Sequence, residues 1–366
     1  MTGPKFLISG YYGFGNLGDE ALLDVIVAGL RARHPQCDID VLSAAPDATA
    51  ARLPVVATPR ADAAAVNRAI ERADVVISGG GGLLQNVTSL RSLLYYAGIV
   101  RAATRARKPT MIFAQSVGPL DFWGRAVVRA CCGGVSRATV RDERSRRLLA
   151  PLVPKVTVER TADPVFLFEP AGEPLDLRSE GLDGDEPLVV VSVRRWQHSE
   201  ATISLLAAVV DRLAEAHGAR VAFLPLGGPP DADVSSAVIR RSKSTPVLLP
   251  DYPLGQAAQV IARASLVVGM RLHALIIAAR LGVPFTALPY DPKVSALLED
   301  LRYPLPPLFV PGDRSTVAAD VLRRIDDAWL RREELAAHLR TVVPEAERLA
   351  QRNFDVLDEL VTHDTP

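Results

Sequence analysis

Residues 266–294 read LVVGMRLHALIIAARLGVPFTALPYDPKV, and no other stretch narrows the possible folds as strongly. Leu266–Met270 is an apolar run of strand length, Ala274–Leu281 has the apolar pattern of a buried helix, and Pro284–Pro289 is a second strand. A helix joining two strands in this way is the crossover of a parallel sheet. The turn after the first strand then carries Arg271, Leu272 and His273, and the turn after the second carries Tyr290, Asp291 and Lys293. Both turns fall at the carboxyl edge, where open α/β sheets hold their ligands. The first N–H groups of a helix lack intrahelical partners and sit at the positive end of its dipole, so an arginine beside them makes an anion site.

The same alternation fills the rest of the chain. Phe6–Gly10, Ile39–Ser43, Asp74–Ser78, Thr110–Gln115 and Ala138–Val140 read as strands, with an amphipathic helix over Asp19–Arg33 for which Asp19 is the expected N-cap. A second series follows: strands at Leu188–Val193, Arg220–Pro225 and Pro246–Leu249, and helices over 201–217, near Ser235–Lys243 and around Gln256–Ala264. Ser315–Asp327, Trp329–Val342 and Glu345–Val361 look helical. With 366 residues, 48% of them hydrophobic, the chain is too long for one core. The expected organisation is an α/β protein of two Rossmann-like doubly wound domains facing across a cleft. The first spans 1–172, a linker rich in Pro, Gly and acidic residues spans 173–186, and the second spans 187–344, with the helix 345–361 packing back onto the first.

Formal net charge is zero, but residues 1–172 hold 21 Lys+Arg against 15 Asp+Glu, and the remainder 21 against 27. A half carrying +6 attracts anionic substrates or lipid headgroups, although uneven solvated helices give the same count. Cys37, Cys131 and Cys132 lack metal-ligand spacing and read as reduced thiols of a cytoplasmic protein. The six histidines are scattered and no acidic cluster has ligand spacing, so no metal is expected, nor any nucleic-acid partner. No apolar run reaches the roughly 18 residues of a spanning helix, and any membrane contact is expected to be peripheral.

Several loops carry chemistry-bearing residues. Gly13, Gly15 and Gly18 spell the dinucleotide fingerprint, but Asp19 and Glu20 stand where a pyrophosphate would dock, and the second strand ends without the carboxylate that grips a ribose. Gly15, Asn16 and Asp19 are instead expected to let backbone approach a ligand or the other domain closely. Gly79–Gly82 follow a strand, and Gly80, Gly81 and Gly82, with Gln85 just beyond, can present a nest of N–H groups to an anion or sugar hydroxyl. A tight turn is the plainer alternative. Gln115 and Arg141 end strands of the same half. Arg144, Arg146 and Arg147 form a solvated helical face, and Asp163 before Pro164 fixes a turn. Arg194, Arg195 and Trp196 follow the first strand of the second half, where donor or sugar contact and a packing role are equally open. Tyr95 and Tyr96 read as core.

Taken together, GYYGFGNLGDEALL, ISGGGGLLQNVTSLRSLLYY, AQSVGPL, VRDERS, ADPVF, VSVRRW, MRLHALIIAA and YDPKV, in that order from about residue 6 to residue 300, resemble the polysaccharide pyruvyl transferase family. The likeness is strongest to the bacterial branch that pyruvylates the secondary cell-wall polysaccharide anchoring S-layer proteins. The resemblance implies a fold like the two-domain GT-B glycosyltransferases and phosphoenolpyruvate as co-substrate, with no further cofactor. It implies a cyclic ketal as product, typically on an N-acetylmannosamine of a lipid-linked disaccharide. The family's R-L-H motif falls on Arg271, Leu272 and His273, its arginine of V-R-D on Arg141, and its Y-D-P-K lysine on Lys293. The chain departs at Gln85-Asn86, where the family often carries Gln-Asp.

Such a donor carries a charge of roughly −3 and requires fixed cations, for which Arg141, Arg271 and Lys293 are the candidates. Protonating its methylene carbon and deprotonating a sugar hydroxyl needs a group titrating near neutrality, for which His273 is the natural candidate, a hydrogen-bonded core histidine being the plainer alternative. A glycosyltransferase or epimerase acting on nucleotide sugars, and a polysaccharide-binding protein without turnover, are the competing readings.

Overall fold

A computed structural model describes residues 3–363 apart from 88, 171, 173, 183, 196–199 and 314. The chain divides into two compact units, Met1–Leu167 with Glu345–Pro366, and Phe168–Pro344. The chain passes from one unit to the other at 167/168 and again at 344/345.

The first unit runs β1 (Lys5–Tyr12), α1 (Leu17–Arg33), β2 (Asp38–Ser43), α2 (Pro46–Arg52), β3 (Val56–Pro59), α3 (Ala63–Arg72), β4 (Val75–Ser78) and β5 (Gly81–Leu84). It continues through α4 (Leu90–Arg105), β6 (Thr110–Val117), α5 (Phe122–Cys132), β7 (Arg137–Val140), α6 (Glu143–Leu149) and β8 (Val158–Arg160). All strand pairings are parallel, in the order β3-β2-β1-β4-β6-β7-β8, with β5 paired to β6. Helices cover both faces, which is why the strands are nearly continuous apolar runs: Phe6–Gly10 and all of β4 are buried. Leu7, Leu42 and Val76 pack against Ile70 of α3, while Leu84, Ile112 and Val140 pack in one core with Leu93 of α4 and Val128 of α5.

The second unit runs β9 (Leu188–Ser192), α7 (Glu200–His217), β10 (Arg220–Phe223), α8 (Pro229–Arg241), β11 (Val247–Leu248) and α9 (Leu254–Ala262). Then come β12 (Ala264–Gly269), α10 (Leu272–Arg280), β13 (Phe285–Ala287), α11 (Pro292–Asp300), α12 (Ala318–Leu330) and α13 (Arg332–His363). Its sheet is also parallel, ordered β11-β10-β9-β12-β13. In each sheet the direction of winding reverses once, between β1 and β4 and between β9 and β12. Those two reversals are the crevices where doubly wound sheets accept ligands.

Local chemistry accounts for the departures from sequence expectation. The N-cap of α1 is Asn16 rather than Asp19: its side chain accepts from the Gly18 N–H at 3.2 Å, leaving Asp19 and Glu20 in the first turn, where the dipole favours carboxylates. α8 begins at Pro229, earlier than the expected 235, because two prolines suit the first helical positions, which need no N–H partner. Gly81 and Gly82 open a short strand instead of ending a turn. The expected helices 329–342 and 345–361 are one continuous helix, α13, with Pro344 inside it at the point where the two units divide. Its C-terminal part belongs to the first unit: the Phe354 ring meets Phe113 edge to face at 5.1 Å, and the buried Asn353 donates to the Ala162 carbonyl at 3.0 Å.

Candidate active site

In the second unit β9 ends at Ser192 and β12 at Gly269, neighbours in register across the winding reversal. The chain then turns directly into α10, with Arg271 as N-cap, Leu272 buried in the first helical position and His273, half-buried, in the second. Arg271 is held on one side. Its Nε donates to Asp231 Oδ2 at 2.8 Å and its Nη2 to Asp231 Oδ1 at 2.6 Å, and Asp231 is completely buried near the head of α8. The guanidinium also lies close against Gly227, where a Cβ would come within 1.8 Å of Nη2. Two of its five N–H donors are therefore engaged in orienting it and three are left for a ligand.

The other predicted residues of this unit gather on the loop after β13. Arg194 Nη1 donates to the Tyr290 hydroxyl at 2.8 Å and its guanidinium stands 4.6 Å over the Tyr290 ring. Lys293, in the first turn of α11, has Asp291 3.7 Å away and the Tyr290 ring 5.9 Å away. Asp291 caps that helix through the Lys293 N–H. Trp196 lies outside the described residues. Glu299 and Asp300 are exposed at the end of α11.

The first unit builds its own cluster around the reversal between β1 and β4. Glu20 accepts from the Gly13 N–H at 2.8 Å, so a carboxylate of the chain already occupies the glycine loop that resembles a phosphate cradle. Gly15 takes φ +73° in open space, and Gly81 takes φ +97°, where a Cβ would stand 3.0 Å from Asp19 Oδ1. Gly80 backs onto Leu22, whereas Gly82 is exposed with nothing near its Cβ position. Gln115 is fully buried within β6, two residues before its end, and reaches Ser78 on β4: its amide nitrogen donates to the Ser78 Oγ at 2.7 Å. Gln85 folds onto its own loop, accepting from the Val87 N–H at 2.9 Å.

Arg141 is buried as well, and Asp163 faces it with an Nη1 to Oδ2 distance of 2.6 Å. Asp163 also accepts from the Val165 N–H at 3.0 Å, so it fixes the turn, as the sequence suggested, and in addition neutralises the arginine. Sequence reasoning did not find this second role, nor the corresponding one of Asp231. In both cases the partners are 22 and 40 residues apart, and only the sheet brings them together.

Two further features were not singled out from the sequence. Tyr12, at the end of β1, is wholly buried, its ring against Gly10 and its hydroxyl where a Cβ of Gly79 would be, and that hydroxyl has no hydrogen-bond partner among the described residues. Burial first, then the Asp19 and Glu20 carboxylates, pushes the phenol well above its usual pKa, so it stays a neutral O–H group. Beside it Arg60 stands 4.1 Å over the Tyr95 ring and donates to the Tyr96 hydroxyl at 3.0 Å; burial raises that phenol to about 12. Tyr96 is core, as expected, but Tyr95 and Arg60 continue into an exposed stack of Phe14 and Tyr11, whose ring centroids are 4.1 Å apart. Among the described residues, no group of three or more His, Cys, Asp or Glu is placed to hold a metal ion.

Comparison with known structures bears out the fold class. A Listeria monocytogenes protein described as a UDP-N-acetylglucosamine 2-epimerase superposes with a TM-score of 0.67 at 12% identity, over 99% of this chain and 97% of that one. The UDP-GlcNAc 2-epimerase from Neisseria meningitidis gives 0.63 at 9% identity, over 97% and 100% of the two chains. That from Methanocaldococcus jannaschii gives 0.62 at 10%, over 97% and 99%. At such identities the likeness is one of GT-B-like fold alone. No curated relative matches the chain. A family profile described as polysaccharide pyruvyl transferase matches residues 16–292.

Proposed function

The chain belongs to the polysaccharide pyruvyl transferase family, and on that premise we propose that it takes the pyruvyl unit from phosphoenolpyruvate and closes it as a cyclic ketal across two hydroxyls of one sugar. The observation that carries this reading is the head of α10. There a guanidinium fixed by a buried carboxylate keeps three N–H donors for an anion, an imidazole stands two residues further on, and both share the positive end of a helix.

A small trianion suits that arrangement. The resemblance also assigns Arg141 and Lys293 to the donor. In the reaction the methylene carbon of phosphoenolpyruvate gains a proton, which leaves C2 electrophilic. One sugar hydroxyl adds to C2 and gives up its proton, the C2–O bond to phosphate breaks, and the second hydroxyl closes the ring with loss of its own proton. His273 is the group we assign to proton transfer in this sequence. The acceptor we propose is a lipid-linked amino sugar, N-acetylmannosamine of a secondary cell-wall polysaccharide precursor, met at the cytoplasmic face of the membrane.

The test is phosphate release from phosphoenolpyruvate that depends on acceptor, with mass spectrometry of the product. Arg271→Ala should chiefly raise KM for the donor, with a fall in melting temperature because the buried Asp231 loses its counter-charge. His273→Ala should lower kcat by about 10²–10⁴-fold. Normal turnover by both variants would remove the assignment. The fold likeness to UDP-sugar epimerases supports a nucleotide-sugar reading as second choice, and that reading requires a nucleotide sugar to be consumed where phosphoenolpyruvate is not.

A further inference from the structure

At the starts of α4 and α5 the first unit exposes an apolar patch. Phe122 and Trp123 open α5 with 77% and 68% of their surface exposed, their rings edge to face at 5.4 Å. Val87, Leu90 and Leu94, just before and within the first turns of α4, are exposed too. The two groups share one edge. α4 and α5 each follow a parallel strand, so both begin at the carboxyl side of the sheet, and Asn86 ties their starts together by accepting from the Asp121 N–H at 3.2 Å. Gly124 sits so close that a Cβ on it would be 2.9 Å from the Asn86 side chain.

The charge around this patch has one sign. Residues 85–132 contain seven Lys+Arg and a single acid, Asp121, so this segment alone carries the +6 of the first 172 residues. Arg91 follows Leu90, while Arg125 and Arg129 lie three and seven positions beyond Phe122 on the exposed face of α5. None of these three arginines forms an ion pair among the described residues. Adjacent exposed aromatics with an aliphatic surround mark a surface that something covers. Large aromatic rings bordered by unpaired arginines fit the boundary between acyl chains and anionic headgroups, where the rings enter and the guanidinium groups meet phosphates.

We propose that this edge of the first unit seats on an anionic lipid bilayer, with Phe122 and Trp123 as the inserted tip and Arg91, Arg125 and Arg129 at headgroup level. No described helix is long and apolar enough to cross a membrane, so the contact is with the surface. The inference stands on exposure and charge, independently of the transferred group. It is tested with the full chain by flotation on vesicles of phosphatidylglycerol in phosphatidylcholine, and on phosphatidylcholine alone. Binding to the anionic vesicles is expected, with a blue shift of tryptophan emission that Trp123→Phe removes while binding persists. Phe122→Ser with Trp123→Ser should weaken partition roughly tenfold for each ring withdrawn. Arg125→Glu with Arg129→Glu should weaken it by at least about fivefold per arginine, since each near the surface contributes about one factor of that size. Equal partition of the serine variant, equal partition onto neutral vesicles, or a wild-type dimer that the serine variant dissociates without any vesicle binding would each overturn the proposal.

Discussion

Gly227→Ala tests whether the arginine at the head of α10 works from a fixed position. The backbone of Gly227 is not in the left-handed region, so alanine brings no conformational strain, only a methyl group. That methyl would stand 1.8 Å from Arg271 Nη2 and 2.9 Å from Asp231 Oδ2. Ordinary contact requires roughly 3.5 Å. Moving the guanidinium that far stretches hydrogen bonds of 2.6 and 2.8 Å beyond useful length and leaves Asp231, wholly buried, without its counter-charge.

Breaking one side of such a buried pair costs about 3–5 kcal/mol. The loss of unfolded-state freedom on replacing glycine offsets about 0.4–1 kcal/mol of that, which leaves about 2–4.6 kcal/mol. For a unit running from Phe168 to Pro344, this corresponds to a fall of about 5–15 °C in its melting temperature. Calorimetry reads the stability, and donor-dependent phosphate release reads the anion site, where KM for phosphoenolpyruvate should rise about tenfold or more as the three remaining N–H donors lose their alignment. A Gly227→Ala protein with unchanged melting and unchanged KM would refute the claim that Asp231 and Gly227 together set the position of Arg271.

Three other substitutions probe the scaffold. Asp163→Asn keeps the turn acceptor for Val165 but leaves the buried Arg141 without a counter-charge, and should destabilise the first unit by about 3 kcal/mol in urea titration. Phe354→Ala removes a ring packed on Phe113 and Gly29, and about 3–5 kcal/mol should be lost; retention of the wild-type midpoint would mean that this end of α13 is not part of the first unit's core. The Asp326 carboxyl is held below its usual range, first by the Arg212 hydrogen bond and then by His217. Its contribution is therefore present above the unfolded value of about 3.9 and disappears as pH falls through the lower folded value. Asp326→Asn should accordingly melt earlier than wild type at pH 7, with the gap closing below about pH 4.

Much of this could be seen in the chain itself. Continuous apolar runs of strand length, separated by helical patterns, allow a covered parallel sheet and little else, so the two series of strands and helices and the carboxyl-edge position of Arg271, Leu272 and His273 followed from local pattern. The cap of α1 was misplaced by three residues because Asn16 and Asp19 are both good caps, and backbone geometry, not composition, chooses between them. The two helices expected over 329–342 and 345–361 are one, Pro344 included, since packing on both sides outweighs one missing N–H.

What periodicity could not supply is which distant side chains meet. Asp231 with Arg271, Asp163 with Arg141, Arg60 with Tyr95, and the neighbouring starts of α4 and α5 are each set by strand order, and strand order is a property of the whole sheet. The residue types that bear charge were written locally; their orientation and counter-charge were decided only when non-local pairing brought the partners within hydrogen-bond distance.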